Sequence, residues 1–213
     1  MALVGENLGY YYRKERWILK DIHLSVAPGE VLGLSGYSGC GKTTLARMLA
    51  GYVQPRAGRV LLDDRPLERG TFRPVQMIYQ HPEKAINPKW RMRDVLHESY
   101  VPSKDILDAF EIRSEWMDRW PIELSGGEKQ RFCIVRALNP ATKYIIADEM
   151  TTMLDAITQA QIWHAFLDIC RSRSIGVIVV SHEASLIHRI CDRVYKVGQQ
   201  ETPEFVRKNV KTG

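Results

Sequence analysis

The sequence predicts an α/β fold built on a parallel sheet, and three observations carry that prediction. First, Gly36-Tyr37-Ser38-Gly39-Cys40-Gly41-Lys42-Thr43 matches the phosphate-loop pattern G-x-x-x-x-G-K-[ST]. It lies between an apolar strand candidate, Val31–Ser35, and a segment of helical periodicity beginning at Thr44. Second, Lys143–Ala147 is an apolar strand candidate that ends in two acids, Asp148 and Glu149. Third, Gly176–Ser181 is a continuous apolar run ending at His182, the pattern of a strand covered on both faces.

Bulk properties suit one soluble domain, or one domain with an insertion. The chain has 213 residues, 45% hydrophobic and 26% charged, enough to bury roughly 70% of its unfolded surface. The net charge is +5, and the basic residues are scattered apart from Arg13–Arg16, so no nucleic-acid partner is expected. Four cysteines, at 40, 133, 170 and 191, show neither C-x-x-C nor metal spacing, which fits a reducing compartment. No apolar run approaches the ~18 residues of a membrane span. Glu6 interrupts the apolar start at Leu3-Val4, so no signal peptide is expected.

In chain order, residues 2–35 are expected to be β-rich. Ile18–Val26 alternates apolar and polar side chains, and Pro28-Gly29 marks a turn before the strand that delivers the phosphate loop. Upstream, Tyr10-Tyr11-Tyr12 offers rings on which a base can stack. Residues 44–52 continue as a helix to Gly51; Arg59–Leu62 and Val75–Tyr79 are further strands, the second ending at Gln80. From His81 to Glu123 prolines at 82, 88, 102 and 121 separate amphipathic pieces, Met92–Tyr100 and Asp105–Trp116. This stretch reads as an inserted helical subdomain. Ser125 is a good N-cap for a helix running to Leu138 and stopped by Asn139-Pro140. Ala156–Arg171 and Glu183–Cys191 are helices, Arg193–Val197 a last strand, and 199–213 a loose polar tail.

The chemistry follows from residue type and position. Glycines of the loop bring backbone N–H groups close to phosphate oxygens, and the following helix start adds positive potential. Gly36, Tyr37, Ser38, Gly39, Cys40, Gly41, Lys42, Thr43 and Thr44 are therefore the phosphate-binding candidates. Lys42 suits the β- and γ-phosphates, and the Thr43 hydroxyl suits Mg²⁺. Asp148, at a strand end, is the expected metal-holding acid, and Glu149 the residue that orients or deprotonates water. Gln80 can contact Mg²⁺ or that water, and His182 the γ-phosphate, since ligands bind outside the carboxyl ends of strands in such sheets. Ser125-Gly126-Gly127 forms a second anion site at a helix start. One nucleotide does not need two such sites from one chain, so this one is expected to close on a nucleotide held by another chain. Cys40, inside the loop, is expected to react with maleimides and to be protected by nucleotide.

These residues resemble the nucleotide-binding subunits of ABC transporters, over Leu8 to Val197. Gly36–Thr43 resembles Walker A, Gln80 the Q-loop, and Leu124–Glu128 the LSGGQ signature with Glu128 in place of glutamine. Tyr144–Glu149 resembles Walker B with its catalytic glutamate, Leu154-Asp155 the D-loop, His182 the switch histidine and Tyr12 the adenine-stacking aromatic. A narrower resemblance, Tyr79–Trp90 with its Asn87-Pro88, is to the oligopeptide, dipeptide, nickel and metallophore importers. Met150 stands where proline usually follows the glutamate, and Thr152-Met153 where Ser-Ala is usual.

The resemblance implies a phosphate-loop NTPase (RecA-like) core with an antiparallel β subdomain, spanning 1–80 and 131–198, and a helical subdomain with the signature at 81–130. It implies a head-to-tail dimer, of identical or paralogous cassettes, that hydrolyses ATP with Mg²⁺. Ser125, Gly126, Gly127, Glu128 and Asp155 would serve nucleotide binding across the dimer. Two transmembrane permease subunits and a solute-binding protein would complete a complex at the cytoplasmic face of the membrane, importing a peptide, nickel or a metal chelate. The alternatives are another ABC cassette, including an exporter, or a soluble ABC-type ATPase acting on nucleic acid or ribosomes.

Overall fold

The computed structural model describes residues 2–13, 16–67 and 72–198. The tail expected to be loose, 199–213, lies outside them. Two sheets are present among the described residues. The first is antiparallel, in the order β2-β1-β4-β5, from β1 (Leu3–Arg13), β2 (Arg16–Val26), β4 (Ala57–Leu62) and β5 (Arg65–Pro66). The second is parallel, in the order β6-β7-β8-β3-β9. It is built from β3 (Val31–Ser35), β6 (Val75–Ile78), β7 (Tyr144–Asp148), β8 (Gly176–Val180) and β9 (Arg193–Lys196). The helices are α1 (Lys42–Leu49), α2 (Met92–His97), α3 (Lys104–Ala109), α4 (Gly126–Ala137), α5 (Ala156–Ser172) and α6 (Ala184–Ile190).

The β7 and β8 strands are buried at every position, which explains their unbroken apolar sequences. Alternate side chains enter two cores. Val31, Ile145, Ala147, Val177 and Val179 pack with α4, α5 and the helical insertion, through Phe132, Phe166 and Trp163. Leu32, Leu34, Ile146, Ile178 and Val180 face the opposite way, against α1 and the antiparallel sheet through Leu45, Leu49, Leu3 and Leu19. Burial of this apolar area, at roughly 25 cal/mol per Å², is the main force holding the three layers together.

The insertion differs from the sequence expectation in detail. Met92–Tyr100 is helical only to His97, and Asp105–Trp116 is broken in two. Glu111 takes a left-handed backbone (φ 50°), which ends α3, and a single 3₁₀ turn follows at Ser114–Trp116. Phe110 and Trp116 both enter the core, so periodicity alone runs through the break.

Candidate nucleotide site

Sheet register gathers the candidate residues along one edge. Leu34 of β3 and Asp148 of β7 both pair with Val180 of the strand between them, and Ala147 pairs with Ile78 of β6. The phosphate loop, Gln80, Asp148-Glu149 and His182 therefore all follow the carboxyl ends of adjacent strands, where open parallel sheets bind ligands.

The loop itself is shaped by its glycines. Gly41 has φ 103°, open to glycine but strained for other residues, and caps α1. A Cβ there would also stand 2.9 Å from Leu19 Cδ2, so the loop seats directly on β2. At Gly36 a Cβ would meet Cys40 Sγ at 2.6 Å and the Val197 carbonyl at 2.7 Å. Lys42 Nζ folds over the loop and donates to the carbonyls of Gly36 and Tyr37 at 2.7 and 3.1 Å. The ammonium is thus held at the loop's centre, with Ser38 and Tyr37 exposed around it.

Cys40 departs from expectation. Its residue is 3% exposed, its sulfur is turned inward beneath Gly36, and its N–H donates to Tyr37 O at 3.3 Å. The side chain packs in the core shared by β3 and α1 and presents no thiol to solvent or ligand.

Thr43 and Asp148 face each other, Oγ1 to Oδ1 at 3.5 Å, the long limit of a hydrogen bond. Hydroxyl and carboxylate oxygens are the hard donors that Mg²⁺ prefers, so the pair fits that ion. Asp148 is 7% exposed. Burial raises its pKa above the usual carboxylate value; the Thr43 hydrogen bond and the charges of Arg47 and Lys42 oppose the rise, and Glu149 adds to it. Beside it, Glu149 turns out of the sheet in a left-handed conformation (φ 52°). Its N–H donates to Val180 O at 2.9 Å, and its Oε1 lies 2.8 Å from His182 Nδ1. Gln80, Glu149 and His182 line one cavity of about 460 Å³.

Tyr12 stands at the end of β1, 64% exposed, with its hydroxyl 3.0 Å from Thr44 Oγ1. The ring is thereby tied to the first turn of the helix behind the phosphate loop. Its neighbours are committed elsewhere: Tyr10 meets Tyr12 edge-on, and Tyr11 lies under Arg56 and edge-on to Trp17.

Ser125 begins α4 with a capping box. Its Oγ accepts from Glu128 N at 3.2 Å, and Glu128 Oε2 accepts from Ser125 N at 2.7 Å. Glutamate at 128 is thus fixed as part of the helix start. These residues line a separate cavity of about 1060 Å³ with Gly127, and no phosphate-loop residue lines it. Met153 and Leu154 close over the two glycines: a Cβ on Gly126 would meet Met153 Sδ at 3.3 Å, and one on Gly127 would meet Leu154 Cδ2 at 2.7 Å. Asp155 caps α5, its Oδ1 accepting from Ile157 N and Thr158 N. Hydrogen bonds from Thr158 and the backbone hold its carboxyl below the usual range.

Thr152 stands out in sequence only as a departure from the usual Ser, and Thr151 and Gln130 not at all. Thr151 Oγ1 accepts from Gln159 Nε2 (2.8 Å) and Trp163 Nε1 (3.1 Å). Thr152 Oγ1 donates to Glu149 O at 3.1 Å. Gln130 donates to Tyr79 O at 3.0 Å, joining α4 to the segment that leads from β6 to Gln80. The partners are far apart in sequence, so only Thr152 gave any signal.

A parallel sheet with a phosphate loop on one strand and an acid pair on the next but one defines a phosphate-loop nucleotide-binding protein. A family model described as ABC transporter matches residues 19–152. Nickel import system ATP-binding proteins of Staphylococcus aureus strains bovine RF122 / ET3-1 and MSSA476 are each 30% identical over 206 residues, covering 89% of this chain and 83% of theirs. A solved ATP-binding subunit of an ABC transporter shares the fold, with TM-score 0.80 and 22% identity over 97% of this chain and 90% of its own. So does a dimeric ATP-binding cassette in a post-hydrolysis state bound to ADP and Pi (TM-score 0.80, 23%, covering 96% and 99%). The cbiO1 protein from Clostridium perfringens, part of the complex cbiONQ, gives 0.76 at 25% identity, covering 91% and 83%. The chain belongs to the ABC transporter family. It is an ATP-binding subunit of that family and an ATP hydrolase.

Proposed function

We propose that this chain powers an ABC importer for nickel, a metal chelate or a peptide. Hydrolysis would occur in a head-to-tail dimer with a second cassette, docked on two permeases and served by a solute-binding protein at the cytoplasmic membrane face. The observation that carries the two-chain site is the division of anion-binding groups. Ser125 and Gly127 open onto a cavity that the phosphate loop does not share, which supports a second chain bringing the two sets onto one nucleotide. Among the described residues no helix is long and apolar enough to cross a membrane, so a transport path would come from other chains. The similar nickel-import proteins and the Tyr79–Trp90 segment favour import of this cargo group.

In this reading the backbone N–H groups of Gly36–Thr44 cradle the phosphates, and Lys42 neutralises the β- and γ-oxygens. Tyr12 stacks on adenine. Thr43, Asp148 and Gln80 would hold Mg²⁺, and that ion would supply screening of the phosphate charge. Glu149 accepts a proton from, or orients, the attacking water. His182 holds the Glu149 carboxylate through the 2.8 Å contact and would hydrogen-bond the γ-phosphate. Residues 81–130 carry the signature and meet the permeases, while 1–80 and 131–198 form the catalytic body.

Uptake by source cells carrying Glu149→Gln in place of the natural chain tests the cargo. Loss of uptake of radiolabelled nickel, supplied free or chelated, or of labelled oligopeptide supports import. Unchanged uptake of all three refutes it.

A further inference from the structure

Glu149 is held at three points. Its N–H donates to Val180 O, its Oε1 meets His182 Nδ1, and its carbonyl accepts from Thr152, from the backbone N–H at 3.3 Å and from Oγ1 at 3.1 Å. The first tie comes from the sheet and the second lies within the reacting site. The third belongs to the turn that follows, and that turn has a specific need for it. Glu149 occupies left-handed backbone space, which a residue with a Cβ keeps only when its surroundings enforce it.

The turn is anchored from behind. Thr151 is buried, and its hydroxyl accepts from two residues of α5, Gln159 and Trp163. That leaves Thr152 on the exposed side, facing Gln80, whose Nε2 lies 3.4 Å from Thr152 Oγ1. A hydroxyl can donate and accept at once. Here it donates to the Glu149 carbonyl and receives the Gln80 amide, so one side chain joins two groups that line the same cavity.

We propose that Thr152 is a positioning residue. Its hydroxyl fixes the Glu149 peptide in the turn that aims the carboxylate at His182, and passes the position of Gln80 to that peptide. The inference rests on the reading of Glu149 as the water-activating group.

The test uses ATP hydrolysis by the transporter assembled with its partner subunits. Thr152→Val keeps the shape and removes the hydroxyl; Thr152→Ser keeps the hydroxyl. We expect Thr152→Val to lower kcat about 10-fold, within the range that slight misplacement of a catalytic group produces, with KM for ATP within about twofold of normal. Thr152→Ser should recover most of the rate. Gln80→Ala also removes a candidate Mg²⁺ holder, so it should slow both proteins, but by a smaller factor in the Thr152→Val background than in the natural one, because the two side chains share one contact. Natural kcat in Thr152→Val overturns the proposal. So does a Thr152→Ser protein as slow as Thr152→Val, which would assign the loss to the methyl group. If Glu149→Gln itself hydrolyses at the natural rate, the underlying reading of Glu149 fails; if Glu149→Gln is inactive and Thr152→Val is not slowed, the Thr152 inference alone fails.

Discussion

His182 Nδ1 and Glu149 Oε1 lie 2.8 Å apart although 33 positions separate them in the chain. The contact exists because β7 and β8 are neighbours in register, so both residues leave the sheet at the same edge. Removing the imidazole frees the carboxylate without touching the phosphate loop. We expect His182→Ala to lower kcat by about 100-fold, the lower range for loss of acid–base assistance, while nucleotide affinity is kept. Steady-state hydrolysis with a parallel ATP-binding titration checks this; unchanged kcat would remove His182 from the mechanism.

Tyr12 is exposed and tied to Thr44, whereas Tyr10 is drawn into contacts with Tyr12 and Arg56. Tyr12→Ala should weaken ATP binding by about 1–3 kcal/mol, the worth of one base–aromatic stack. Tyr10→Ala should weaken it less. The reverse order in calorimetric titrations would move the adenine platform.

Cys40 is sealed between Gly36 and Gly198. Maleimide should therefore modify it slowly in the native protein, with or without MgATP, and rapidly once denaturant opens the chain. Mass spectrometry of the labelled peptide reads both rates. Fast native labelling blocked by nucleotide would show an exposed thiol instead.

Asp148 has a pKa raised mainly by burial. The folded protein binds this proton more tightly than the unfolded chain does, so the associated stability is present at low pH and is lost as pH rises through the raised pKa. At neutral pH a buried carboxylate is a cost kept for function. Asp148→Asn should thus lose Mg²⁺-dependent hydrolysis yet raise Tm at neutral pH when melted without Mg²⁺. The gain should shrink as pH falls toward 3.8, the ordinary Asp value. Calorimetry across pH 4–8 checks the sign, and a lower Tm at neutral pH would contradict it.

The parts of this molecule legible in sequence are those written locally. The phosphate loop, the apolar strands ending in Asp148 and His182, and the Ser125 cap each depend on a few consecutive residues. Strand order is not local: nothing in the run Gly176–Val180 says that it lies between β7 and β3. The break at Glu111 rests on one backbone angle inside a stretch whose apolar spacing continues across it. Cys40 sits among glycines that look exposed in sequence, and only its packing under Gly36 hides it. The roles of Thr151 and Thr152 depend on Gln80, Gln159 and Trp163, so they appear only when those elements are placed together.

We propose a nucleotide site shared between two cassettes and fired by Glu149. The most direct measurement is sedimentation of the Glu149→Gln protein, with its partner cassette where that is a different chain, with and without MgATP, alongside hydrolysis by the same sample. A dimer should form only with MgATP, retain two nucleotides and turn over at least about 100-fold more slowly than the natural protein. A monomer at all nucleotide concentrations, or hydrolysis at the natural rate, would contradict it.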